Sequence, residues 1–422
     1  MSPAPVREIA ACRACGNRSL RGLLDLGPMA LTGVFPRSPG APPLTRGPLA
    51  LVQCDRASRP EACGLVQLRH SYDPRELYGA TYGYRSSLNR SMVEHLHGLA
   101  ERLRRLVPLG RDDLVLDIGS NDGTLLAGFP PEGPLLVGID PAADTFRRHY
   151  RADIRSEPDF FSADRFRARF PGRAARLVTS IAMFYDLERP VAFMQEVRDI
   201  LADDGLWCFE QSYLPAMIRR NAYDTICHEH LEYYALRPIL WMARQAGLAI
   251  VDVSQSAVNG GSFAVVAAKE GAGRRPEPAV AALLEEESRL GPDDPRAFEE
   301  FRARIEARRK ALLDRLDGIR ARGETVLGYG ASTKGNVLLQ YCGIGPARLP
   351  CIAEVNEDKI GCHTPGTAIP IVSEAEAHAR RPDYFLVLPW HFRDAIVKRE
   401  QEFLRGGGRL IFPLPDVEVV SA

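Results

Sequence analysis

The chain has 422 residues, 45% of them hydrophobic, with 54 Lys+Arg set against 54 Asp+Glu. That length suits two to three domains and that composition excludes a disordered chain. Zero net charge argues against a polyanion binder held by bulk electrostatics, so no nucleic-acid partner is expected. No apolar run reaches the roughly 18–20 residues that span a bilayer, and the N-terminus lacks the apolar core of a signal peptide. A cytoplasmic protein without a membrane partner is the expectation, as a monomer or weak homo-oligomer. In that compartment nine cysteines read as metal ligands or free thiols and not as a disulfide frame.

Residues 1–71 are rich in Pro, Gly and Arg and poor in apolar periodicity. Cys12 and Cys15 form a CxxC knuckle followed by Gly16, and Cys54 and Cys63 form a looser second pair closed by Gly64. Two such pairs about forty residues apart fit a tetrahedral, structural zinc site with four thiolate ligands. The competing reading is a chance CxxC plus two buried thiols.

Residues 72–270 form the next unit. An amphipathic helix is expected through Met92, Leu96, Leu99 and Leu103. Then strand-like runs alternate with helical ones (LVLDIG, LLVGID, RLVTSI, GLWCFEQSY, AIVDV, FAVVAA), which indicates an α/β fold with a mostly parallel, covered sheet. The first strand runs into DIGSNDG. Gly119 and Gly123 let the backbone approach a ligand, while Asp117, Asn121 and Asp122 make the loop acidic. Acids repel a pyrophosphate and suit a cationic sulfonium with its ammonium, as in S-adenosylmethionine (SAM). Asp140, at the end of the next strand, is placed to accept from ribose hydroxyls. The alternative is a structural turn in some other α/β protein.

Downstream, Tyr223–Tyr234 is the densest polar and aromatic cluster, with His228, Glu229 and His230 in succession. An imidazole beside a carboxylate suits proton transfer near neutrality. The spacing is not that of a helical HExxH metal site, and surface histidines on a loop are the bland alternative. Tyr78–Ser87 interleaves tyrosines with glycines, either packing between domains or lining a cleft with phenols. Residues 271–322 read as a linker and a charged helix opened by Asp294 and Pro295. Residues 323–422 read as a second α/β unit, in which Gly330, Ser332, Lys334 and Asn336 lie at a strand-to-helix turn fit for a diphosphate, with NAD as a comparable occupant.

Taken in order, the four-cysteine segment, DIGSNDG, the YDTIxHEH segment and the C-terminal GYGASxKGN resemble the three-domain SAM-dependent sugar C-methyltransferases that act on nucleotide-linked 4-keto-deoxysugars in antibiotic biosynthesis. The resemblance implies a small zinc domain, a class I SAM methyltransferase domain with a Rossmann-like sheet, and a C-terminal Rossmann-like domain. It also implies a nucleotide-diphosphate sugar, dTDP-linked, held between the last two. By motif, His230 would be the base, with Glu229 beside it, His228 orienting or packing, and Tyr82 or Tyr84 facing the sugar. Cys227 stands where relatives often carry Tyr, replacing a phenol by a thiol that acts as a spacer for a different ring substituent. The implied reaction removes the proton next to the ketone and methylates that carbon, C3 of a 4-keto sugar. The same enolate also serves an epimerase or another methyl transfer, and a zinc-knuckle module for RNA or protein is the reading from a different class.

Overall fold

The computed structural model describes residues 6–38, 44–77, 85–291 and 294–422. Tyr82 and Tyr84 lie outside the described residues. Among the described residues no helix is long and apolar enough to cross a membrane.

Each of the six apolar runs after residue 113 becomes a strand, and one further strand completes a seven-stranded sheet. Its spatial order is Leu248–Ser256, Ser262–Lys269, Leu201–Ser212, Ala175–Ile181, Leu114–Ile118, Leu135–Ile139, Ile154–Glu157. Neighbours are parallel except Ser262–Lys269, which runs antiparallel to both strands beside it. The chain-order first strand, Leu114–Ile118, is buried throughout. It lies where the winding reverses, so the loop that follows it opens at the carboxyl edge where such sheets bind ligands. The helix Arg90–Leu106 covers one face and buries Met92, Leu96, Leu99 and Leu103, the four positions its periodicity singles out.

The C-terminal unit repeats the logic. Its six strands run Ile371–Ser373, Ile352–Glu354, Val326–Tyr329, Tyr384–Val387, Arg409–Phe412, Glu418–Val420, all parallel save the last pair. Here the winding reverses between Val326–Tyr329 and Tyr384–Val387. Asp294 caps the helix Pro295–Ala321 by accepting from Arg296 N. One face of that helix, through Phe298, Phe301, Ile305, Leu312, Leu316 and Ile319, is buried.

The N-terminal segment departs from its sequence. Its polar composition suggests little core, yet the antiparallel strands Leu20–Ala30, Arg46–Cys54 and Val66–Leu68 bury Leu24, Leu26, Met29, Leu49 and Leu51. The reason is that these side chains do not form a core of their own. They share one apolar cluster with the long helix and the C-terminal sheet. A fourth strand, Glu232–Tyr233, lies in sequence between the methyltransferase strands Leu201–Ser212 and Leu248–Ser256 and pairs with Val66–Gln67.

Candidate active site and metal centre

Cys12, Cys15, Cys54 and Cys63 converge so that their sulfurs lie within 4.8 Å of one another, with Cys12–Cys63 at 3.5 Å and Cys15–Cys54 at 3.4 Å. A tetrahedron with metal–sulfur bonds of about 2.3 Å has edges of about 3.8 Å, so the four thiols fit a zinc ion. The eight-residue insert between Cys54 and Cys63 folds as an exposed loop and does not disturb this geometry.

At the carboxyl edge of the middle sheet, Asp117 is buried with Thr179 Oγ1 donating to it at 2.7 Å. Burial raises its carboxyl to about 7, the Thr179 bond opposing and Asp140 adding. Asp140 accepts from Asn121 N at 2.8 Å and from Ala142 N at 2.7 Å, which holds the loop against the next strand. A carboxyl this costly to bury without a cation, beside a second acid at the ribose position, fits SAM. Asn121 and Asp122 have a further task. Their side chains accept from Ser86 N (3.0 Å) and Ser87 N (2.9 Å), pinning the chain that follows the tyrosine-rich stretch onto the SAM loop.

The His-Glu-His residues point in three directions. His228 is fully buried in the N-terminal sheet, its Nε2 3.3 Å from Gly47 O, its Nδ1 3.4 Å from Thr32 Oγ1, its ring edge-on to Tyr72. Burial lowers it to about 4. Glu229 accepts from Thr32 Oγ1 at 3.2 Å, and burial raises its carboxyl. A Cβ added at Gly33 would run into Glu229 Oε1, so only glycine lets that backbone lie so close. Of the three, His230 alone keeps partial exposure. Its Nδ1–H donates to Thr225 O at 2.9 Å and its ring packs on Tyr185 at 4.1 Å, which leaves Nε2 with a free lone pair. Burial, and then the charge of Lys334, lowers it to about 3. Cys227 is buried behind this turn, and burial pushes its thiol up.

The C-terminal turn is largely satisfied from within. Ser332 caps its helix by accepting from Gly335 N, and Glu354, at the ribose-binding position of a dinucleotide fold, accepts from Ala331, Val355 and Asn356 N. Gly330 packs on Pro389, where a Cβ would come within 2.7 Å. Asn336 donates to Thr32 O at 2.8 Å, tying this helix to the N-terminal unit. Lys334 reaches across instead. Its Nζ donates to Asn259 O at 2.8 Å, and its charge is felt by Asp224 and His230.

Several contributors escaped the sequence. Asp224 accepts from Trp390 Nε1 at 2.8 Å, bringing the two α/β units together. His95 donates to Glu210 at 2.7 Å, and that carboxylate raises its pKa. Arg13, inside the CxxC knuckle, is buried and donates to Leu68 O, His70 O and Ser71 Oγ. A lone acid or arginine carries no periodicity to find it by; only Asp224, inside the polar cluster, left a signal.

Comparison with known proteins finds three family matches along the chain. Residues 12–78 match a zinc binding domain family, residues 92–253 a methyltransferase domain family, and residues 257–415 a C-methyltransferase C-terminal domain family. The C-methyltransferase NovU of Streptomyces niveus is 35% identical over 419 residues, covering 99% of this chain and 98% of its own. Similar solved structures include a SAM-dependent methyltransferase from Clostridium acetobutylicum (12% identity, 42% of this chain and 92% of that one, TM-score 0.33). Another is the N-methyltransferase NodS from Bradyrhizobium japonicum (15% identity, 45% and 99%, TM-score 0.31). With its three matched segments and a full-length relative, the chain belongs to the three-domain C-methyltransferases, enzymes that use SAM and carry a structural zinc.

Proposed function

We propose that the substrate is a nucleotide-diphosphate keto-deoxysugar, dTDP-linked, and that the methylated carbon is C3 beside a C4 ketone. The observation that carries this reading is His230. Its tautomer is fixed by Thr225 O, its Nε2 has no protein partner among the described residues, and it alone of the His-Glu-His residues keeps partial exposure, beside the charge of Lys334 from the C-terminal unit. A carbon next to a ketone is acidic because the electron pair left behind delocalises onto oxygen. His230 Nε2 takes that proton from its neutral form, which burial and the charge of Lys334 favour.

Glu229 holds the turn that carries His230 against Thr32 and Gly33. Lys334, buried between Asn259 O and Asp224, supplies positive charge for the substrate's anionic groups, with Ser332 and Gly330 shaping the turn around it. Bound SAM supplies the electrophilic methyl group. Asp117 and Asp140 would hold its cationic and ribose parts, and the Ser86–Ser87 backbone, tied to Asn121 and Asp122, would help to exclude water that quenches the enolate. Cys227 packs behind the base where a bulkier phenol stands in relatives.

Incubation with a dTDP-linked 4-keto-6-deoxyhexose and labelled SAM tests this. The expected product carries one labelled methyl, placed at C3 by NMR. A preparation that binds SAM yet methylates no nucleotide-linked keto sugar overturns the reading.

A further inference from the structure

His391 is a residue that neither the zinc site, the SAM loop nor the His-Glu-His turn employs. It follows the strand Tyr384–Val387, directly beyond Leu388 and Pro389. Lys334 follows the neighbouring strand Val326–Tyr329. The two turns touch, since a Cβ at Gly330 would come within 2.7 Å of Pro389 and one at Gly335 within 2.8 Å of Leu388. Both residues therefore sit at the winding reversal of the C-terminal sheet, the place where an open α/β sheet receives a ligand.

The methyltransferase unit is clamped onto this spot. Asn259, held at φ 54°, ψ 24°, presents its carbonyl to Lys334 Nζ. The adjoining Gly260 abuts Trp390, where a Cβ would lie 3.3 Å from the indole, and Asp224 fixes that indole's Nε1.

Within this frame, His391 is enclosed yet keeps some accessible surface, as do His230 and Lys334. Its Nδ1 is buried without a hydrogen-bond partner, and among the described residues none bonds Nε2. A ring nitrogen enclosed without a partner is unmet hydrogen-bonding capacity, and the other nitrogen is left to solvent or a ligand. Its neighbours Trp390 and Phe392 contribute only ring contacts, at 5.8 and 4.3 Å. Burial first, and then the charge of Lys334, keeps the ring neutral, with one N–H to give. The same Lys334 acts on His230, and the Trp390–Asp224 hydrogen bond joins the segment of His391 to the segment that carries the base.

Resting on the substrate reading above, we propose that His391 is a catalytic residue: its N–H donates to the keto oxygen on which charge collects as His230 removes the neighbouring proton. The step balances within the site. The C–H bond breaks, the proton passes to His230 Nε2, and the electron pair moves through the new C=C onto oxygen. His391 donates a hydrogen bond throughout and keeps its own proton. The C-terminal unit thus supplies the donor that stabilises the enolate, in addition to any hold on the nucleotide. A neutral donor suits this better than a charged one, because its hydrogen bond strengthens as the oxygen turns anionic and binds the ground-state ketone only weakly.

The test compares wild type, His391→Ala and His391→Gln, whose side-chain amide keeps a donor near the Nε2 position. With a dTDP-linked 4-keto-6-deoxyhexose in D2O, α-proton exchange and kcat are read beside KM and the inhibition constant of free dTDP. SAM affinity and circular dichroism check the fold. His391→Ala is expected to lower exchange and kcat together by about 10²–10³-fold, with KM and dTDP inhibition little changed, and His391→Gln to recover part of the loss. A variant with weakened dTDP inhibition but full exchange at saturation overturns the proposal in favour of a diphosphate contact. Unchanged exchange and kcat overturn it outright. If the wild type neither exchanges nor methylates the keto sugar, the substrate reading itself fails and takes this inference with it.

Discussion

Asp117→Asn should make the SAM-free protein more stable while weakening its hold on SAM. The carboxyl is buried, accepts one side-chain hydrogen bond, from Thr179 at 2.7 Å, and titrates at about 7 in place of its ordinary 3.8. Between pH 4 and 7 the folded chain therefore retains a proton that the unfolded chain has released. Stability falls as pH rises through this window, and the penalty is complete above about 7. At one pKa unit per 1.36 kcal/mol, that penalty is about 4 kcal/mol at pH 7–8. Asparagine keeps the acceptor for Thr179 and has no charge to bury. The variant's apparent melting temperature should then exceed the parent's by up to roughly 10 °C at pH 8, with the two converging near pH 4. Isothermal titration should show SAM binding weakened in the variant. In the parent, binding near pH 7 should release protons, because a cation beside Asp117 favours its ionised form. A variant no more stable than the parent at pH 8, or one with parental SAM affinity, refutes the reasoning.

Elemental analysis should find about one zinc per chain, and Cys15→Ser should lose the metal and melt the N-terminal sheet without abolishing SAM binding. His230→Ala should lower α-proton exchange and methylation by about 10²–10⁴-fold. His228→Ala should instead cost stability, because it leaves a cavity between Tyr72 and Gly47, and surviving folded protein should still exchange. Since burial and Lys334 set His230 near 3, its neutral base form persists down to that pH. The rate profile should show no acid limb from this group above about pH 4; a limb near 6.5 that vanishes in His230→Ala contradicts this. Gly33→Ala should retain fold and zinc yet lose turnover, as its Cβ displaces the Glu229 carboxylate; a crystal structure of the variant with Glu229 unmoved would contradict the assignment.

The βα alternation was legible because a covered parallel sheet demands unbroken apolar runs, and the runs from Leu114 to Lys269 have no other use. The cysteines and the acidic loop were legible because each chemistry depends on residue type at short spacing. The N-terminal strands were harder to see, because the apolar faces of Leu24, Leu49 and Leu51 are completed by residues hundreds of positions away in sequence. The His-Glu-His turn shows the limit most sharply. Adjacent in sequence, its residues meet three different environments, namely the N-terminal sheet, the Thr32–Gly33 backbone and a partly exposed position. Only the partner atoms, Gly47 O for one histidine and Thr225 O for the other, separate a packed imidazole from a free one.

The strand Glu232–Tyr233, pairing with Val66–Gln67 directly after His230, has a consequence for biosynthesis. Domains generally fold in order as they emerge during synthesis, yet here the first sheet lacks its edge until most of the second unit has been translated. Until then Val66–Leu68 presents an unpaired edge, the kind of surface that recruits foreign strands. Early capture of zinc by the four cysteines would hold the three nascent strands in register through that interval. Arrival of the fourth strand then closes the edge in the same event that sets His230 in place. A chain cut anywhere between Leu68 and Glu232 should therefore yield a metal-loaded fragment prone to aggregate, and adding a synthetic peptide spanning residues 226–236 should suppress that association.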